Sequence, residues 1–261
     1  MRFAIKSRFA TPVFAVATLL FSLVFTPAGS AEEPGLLYGT AEAGTQLVAF
    51  NLNAGKVRVI GDIGFPWSAA LAFCRPGGRP YTITNMGSAS EQLATLDLST
   101  GAATLVGPPL GQTLGIMGLT CSPDGTLYAS QSTASQVSSN GLYTVDRETG
   151  QASLIGPIGA DKVIMALDFA PDGTLYGASP SALYTIDVLT GQATKVTDFF
   201  GASVVMGLAI AKDGDFFISD YRPVPPASTV FALDVSTGTA TPILNTGLAK
   251  VHAIAFKFPG R

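Results

Sequence analysis

The sequence has little charge, little sulfur and almost no imidazole. Of 261 residues only 13% are Asp, Glu, Lys or Arg, two are Cys, one is His and one is Trp. Each scarcity excludes something. A disordered chain needs low hydrophobicity and high net charge, and this chain is 47% hydrophobic. One His and two Cys provide no zinc-ligand spacing. A Ser-His-Asp triad would have to centre on His252, and nothing marks its Ser. No phosphate-binding glycine loop occurs, because the glycines sit in turns. No Ala/Glu/Lys/Leu-rich stretch suggests a long helix or a coiled coil. What the chain does have is 29 Gly and 17 Pro among Val- and Thr-rich runs. That composition points to an all-β protein with many turns, long enough for one domain with a substantial core.

The first 31 residues read as a secretory signal peptide. Arg2, Lys6 and Arg8 form a basic start, Val13 to Phe25 is a mostly apolar run of thirteen, and Pro27 is followed by small residues up to Ala31. Thirteen apolar residues are too few to span a bilayer as a helix. The remaining chain, 32–261, is expected to be exported, to the periplasm or the extracellular space. It carries 12 basic and 18 acidic residues, a net charge near −6. No basic patch remains, so nucleic acid is excluded as a partner and stable membrane insertion is not expected.

Two phrases recur along the mature chain. The first is an Asp or Asn, three residues, then Gly: Asn51 to Gly55, Asp97 to Gly101, Asp146 to Gly150, Asp187 to Gly191 and Asp234 to Gly238. The second alternates with it: Pro123-Asp124-Gly125, Pro171-Asp172-Gly173 and Lys212-Asp213-Gly214, with looser forms at Pro76 and Pro259. In the fourth unit the spacing predicts strands over 163–170, 174–178, 182–187 and 192–197. Gly supplies positive φ at the turns and Asp accepts hydrogen bonds from turn N–H groups, so the repeated Asp residues are read as structural. Four strands in a period of forty-odd residues is the β-propeller pattern, and the phrases resemble the blades of WD-repeat, NHL and YVTN-type propellers. The resemblance spans the mature chain and implies architecture alone.

The chain enters at Leu36-Leu37-Tyr38, which matches the second strand of a unit, and ends at 251–258, which matches a first strand. The expected fold is therefore a five-bladed β-propeller of four-stranded antiparallel blades. Its ring closes where the C-terminal inner strand pairs with the N-terminal strand.

Alternating strand direction sorts the loops. Asp-Gly and Thr-Gly turns fall on one face and vary little. The loops on the opposite face vary, and a rigid scaffold places function on variable loops. Candidate contacts there are Phe65, Trp67, Asp161, Lys162, Phe199, Tyr221 and Arg222, which suit a protein, peptide or glycan partner. The competing reading is that Phe65, Trp67, Phe199 and Phe200 only fill gaps between blades. Asp168 stands where other units have small residues, so it faces a wet channel or a substrate, or is solvated and idle. Met117, Met165, Met206 and His252 share one aligned inner-strand position. They are either packing or a soft-donor site for copper as Cu(I), and no other cofactor is implied. Cys74 and Cys121 lie near the ends of adjacent inner strands, either as a disulfide or as two buried thiols. Three functions fit: a non-enzymatic binding or scaffold module using the variable face, an enzyme (a lyase or a lactone or glycan hydrolase) at the channel mouth, or a copper-handling protein.

Overall fold

The Asp-led phrase forms the turn it specifies. In the computed structural model, which describes residues 36–75, 77–111, 113–132, 140–159, 163–222 and 227–258, Asp146 Oδ1 accepts from Glu148 N (2.9 Å) and Thr149 N (2.7 Å). Asp97 accepts from Ser99 Oγ and N, and Asp234 from Ser236 Oγ and N. These bonds stabilise the ionised carboxylates and lower the pKa of Asp97, Asp146 and Asp234. The 1–31 segment, Asp161 and Lys162 lie outside the described residues. No helix among the described residues is long and apolar enough to cross a membrane.

Twenty strands form five four-stranded antiparallel sheets. From the axis outward, blade A is β20 (Ala253–Lys257), β1 (Leu36–Ala41), β2 (Gln46–Asn51) and β3 (Lys56–Asp62). Blade B is β4 (Ala72–Cys74), β5 (Arg79–Thr84), β6 (Gln92–Leu96) and β7 (Ala103–Leu105). Blade C is β8 (Ile116–Cys121), β9 (Leu127–Gln131), β10 (Gly141–Val145) and β11 (Ala152–Pro157). Blade D is β12 (Ala166–Phe169), β13 (Leu175–Ala178), β14 (Ala182–Ile186) and β15 (Ala193–Asp198). Blade E is β16 (Val205–Ile210), β17 (Phe216–Asp220), β18 (Thr229–Asp234) and β19 (Thr239–Asn245). The inner strands touch in ring order, β4 to β8 to β12 to β16 to β20 and back to β4. As expected, the C-terminal β20 closes the ring by pairing with β1, from Leu36↔Lys257 to Thr40↔Ala253.

The apolar residues form five layers, one at each blade boundary. Ring contacts recur at four of these boundaries: Tyr38–Phe73, Tyr128–Phe169, Tyr176–Phe216 and Phe217–Phe256, with centroids 4.9–5.5 Å apart. The B–C boundary instead carries a disulfide between Cys74 and Cys121, with Cα atoms 5.2 Å apart. Cys121 stands in β8 where β4, β12 and β20 have Phe73, Phe169 and Phe256.

The sorting of loops by face needs one correction. The Thr-Gly turns do not simply sit on the turn face. They lean sideways onto the last strand of the preceding blade. A Cβ on Gly61 would collide with Thr100 O, one on Gly107 with Thr149 O, and one on Gly156 with Thr190 O. Hydrogen bonds seal the A–B, C–D and D–E seams: Ala103 N donates to Ile63 O (3.0 Å), Ala193 N to Ile158 O (2.8 Å) and Ala240 N to Phe200 O (2.7 Å). Right-handed twist accumulates outward through four strands, so the outer strands run across the seam. Four outer strands also carry a β-bulge, which adds twist at the exposed edge. Gly156 has an ordinary negative-φ backbone, so its requirement is purely steric. Gly156→Ala is expected to cost about 3 kcal/mol by overpacking. Urea denaturation measures this, and an unchanged midpoint would show that the seam yields.

Candidate functional site

Where the chain enters an inner strand from the variable face, it turns sharply. Trp67 (φ 51°), Gly115 (φ 64°), Val204 (φ 56°) and Lys250 (φ 52°) adopt the left-handed conformation. Each precedes by two residues an aligned position: Ala69, Met117, Met206 and His252. For Trp, Val and Lys this backbone is unfavourable by roughly 1–2 kcal/mol. It is held by bonds to a neighbouring variable loop, in three cases of the same blade. Met86 N donates to Trp67 O (3.3 Å), Ser132 N to Gly115 O (2.9 Å), Tyr221 N to Val204 O (2.9 Å), and Lys250 N donates to Arg222 O across the E–A boundary (2.8 Å). Such strain tends to gather at functional sites.

These entries bring three rings together from three blades. His252 stands immediately before β20 and is 2% exposed. Tyr221 from blade E meets it edge-on at 5.0 Å, and Trp67 from blade B at 5.9 Å. Trp67 is 45% exposed, and Tyr221 is half-buried. Neither His252 nitrogen has a hydrogen-bond partner among the described residues. Burial, and secondarily the charge of Lys250, push its pKa down to about 4. The imidazole is therefore neutral at pH 7.

The supports of this trio are polar. Asp220 is fully buried and accepts from Thr229 N and from Arg222 Nε, both at 2.7 Å. Ser228 Oγ accepts from Arg222 N (3.1 Å) and Val251 N (3.2 Å), tying the blade E loop to the blade A entry. Glu91, one of the acids off the repeat consensus, is fully buried. It accepts from Gly115 N (2.8 Å) and Ile116 N (2.6 Å) and so fixes the entry of blade C. Burial raises its pKa, and those bonds oppose the rise.

Asp168 joins three inner strands. Its oxygens accept from Thr120 Oγ1 of blade C (3.0 Å), from its own neighbour Phe169 N (2.9 Å) and from Ile210 N of blade E (2.7 Å). Burial raises its pKa to about 6 despite these donors. Asp168 is thus neither idle nor free. It lies three residues beyond the Met165 position, roughly 10 Å down the strand.

The other sequence candidates separate. Two of the aligned Met/His side chains meet the preceding blade: Ser132 Oγ of blade C contacts Met165 Sδ at 3.4 Å, and His252 meets Tyr221 of blade E, while His252 also meets Trp67 of blade B. Met117 is buried, and Met165 and Met206 are half-buried. Among the described residues no group of three or more His, Cys, Asp or Glu is placed to hold a metal ion. Phe199 is buried in the D–E layer, so packing accounts for it, while the next residue, Phe200, is exposed. Phe65 is half-buried. Two open grooves of about 510 and 430 Å³ lie at equivalent places near the turns of blades E and C, and so belong to the repeat.

The His252 environment sets an acid response. A folded-state pKa below the usual 6.5 favours the neutral ring, so its contribution is complete above about pH 6.5 and is lost as pH falls through 4. The loss amounts to about 3 kcal/mol. Asp168, with its raised pKa, runs the other way and loses stability as pH rises from 3.8 through 6. His252→Phe is expected to remove the acid loss and leave the Asp168 slope, so the variant melts higher at pH 4.5 than at pH 7. Melting curves of both proteins between pH 4 and 7.5 check this. Parallel profiles would contradict it.

No protein-family model and no curated protein sequence matches the chain. Solved structures do match. A chain from the crystal structure of a nidogen/laminin complex aligns with TM-score 0.57 at 12% identity, covering 86% of this chain and 98% of that one. A chain from work on the de novo evolutionary emergence of a symmetrical protein aligns with TM-score 0.52 at 18% identity, covering 86% and 99%. At these identities the likeness is one of fold, and the fold is the five-bladed β-propeller.

Proposed function

We propose that the protein is an exported, non-enzymatic binding module that engages its partner through the variable-loop face. The reading rests on the channel mouth, where Trp67, Tyr221 and His252 converge from three blades and a buried imidazole keeps both nitrogens unpartnered. Buried polar groups are nearly always hydrogen-bonded; Thr40, Ser68, Asn140 and Ser219 also keep unpartnered buried atoms, and His252 is singled out by the two aromatic rings from neighbouring blades that meet it. The chemistry favours binding over catalysis. An imidazole with a pKa near 4 is a weak base at neutral pH. The Asp168 carboxylate is already engaged by three donors. A fold neighbour comes from a nidogen/laminin complex, a precedent for propellers in partner binding.

The test compares the two faces. Immobilised mature protein is probed with a peptide library and a glycan library. Alongside it run a Trp67→Ala/Tyr221→Ala variant and a turn-face variant, Leu189→Glu, altered at an 83%-exposed residue. Binding is expected to disappear in the first variant and persist in the second. The opposite pattern would move the site to the turn face.

A further inference from the structure

We propose that the groups completing the channel mouth are hydroxyls of a neutral saccharide, with the sugar's C–H face lying on the exposed indole of Trp67. The inference rests on the binding reading above and names its ligand class. Three observations carry it. First, both nitrogens of His252 lack partners in a site that excludes solvent. A neutral imidazole has one N–H donor and one bare acceptor on different edges of the ring, and the several hydroxyls of a saccharide, each able to donate and accept, can match both. A carboxylate ligand can only accept, and would leave the bare nitrogen unmatched. An ammonium ligand can only donate, and would meet the charge of Lys250.

Second, the aromatic group above the ring is partly open. Trp67 is 45% exposed and sits on a left-handed backbone held by its carbonyl bond to Met86. Trp presents a wide apolar face beside a polar tip, which suits a surface that is apolar on one side and hydroxylated on the rim. Because Trp67 and Tyr221 cover His252, the sugar displaces the indole from its present edge-on contact and takes the position it vacates. Third, the Arg222 side chain beside Tyr221 is engaged internally. Arg222 Nε is held by Asp220, and Arg222 N by Ser228 Oγ. The Arg222 charge is thus balanced by Asp220, and Lys250 is the charge that still bears on the ring.

Trp67 is the only Trp in the chain, so its fluorescence reports on this site alone. The mature protein is titrated with neutral pentasaccharides of the β-glucan, chitin, xylan, mannan and α-glucan types, and separately with unmodified pentapeptides. At least one pentasaccharide is expected to shift Trp67 emission saturably and to change its quenching by acrylamide. His252→Phe, which keeps the ring packing and removes both nitrogens, is expected to weaken binding at least tenfold. Calorimetry follows binding for Trp67→Phe, which lacks the fluorophore. Saccharide binding unchanged in His252→Phe would overturn the hydroxyl assignment. Saturable peptide binding with no saccharide response would overturn the saccharide class and leave the binding face intact. No response to either library, by fluorescence or calorimetry, would remove both.

Discussion

Removing residues 250–261 is expected to abolish cooperative folding. The deletion takes away β20, whose five residues pair with β1 from Leu36↔Lys257 to Thr40↔Ala253. It strips Ile254 and Phe256 from the E–A layer and Ala253 from the A–B layer. It also breaks the Phe217–Phe256 contact. Each fully buried large aliphatic or aromatic side chain contributes about 1.5–3 kcal/mol, and the total stability of a domain is about 5–15 kcal/mol. The loss is not confined to blade A, because two boundary layers open at once and the β1 edge is freed to pair with other chains. The truncated protein should aggregate or show no sigmoidal melt by circular dichroism. A soluble truncation with a cooperative transition would refute ring closure as the element that holds the blades together.

Breaking the Cys74–Cys121 bond is expected to cost about 4 kcal/mol, the chain-entropy value for a loop of this length. The two residues are 47 apart in sequence and join the ends of β4 and β8. The boundary they join lacks the ring contact seen at the other four, so packing there has less to fall back on. Guanidinium denaturation with and without reductant, and of Cys74→Ala/Cys121→Ala, measures the difference. Thiol titration of the denatured, unreduced protein should find no free thiol, consistent with the pairing of both cysteines. Two titratable thiols, or equal midpoints in the two conditions, would refute the bond or its contribution.

The amino-acid sequence by itself determined the number of blades, the strand order and the place of closure. Those properties follow from local chemistry that repeats: Asp146 and Asp234 bond their own turns, and alternation fixes which residues face inward. The reason for Gly61, Gly107 and Gly156 was not legible in the sequence. It lies in the next blade, where a turn carbonyl occupies the space of a side chain. Tertiary structure alone decided the site. Trp67 lies well over a hundred positions from Tyr221 and His252 in the chain, and only ring closure sets blade A between blades B and E. The aligned Met and His residues looked equivalent because backbone register is repeated. Their environments differ because they meet different neighbours, Ser132 for Met165, and Tyr221 and Trp67 for His252. Asp168 looked isolated for the same reason. Its donors come from the strands before and after it, and those distances exist only once blades C, D and E have packed together.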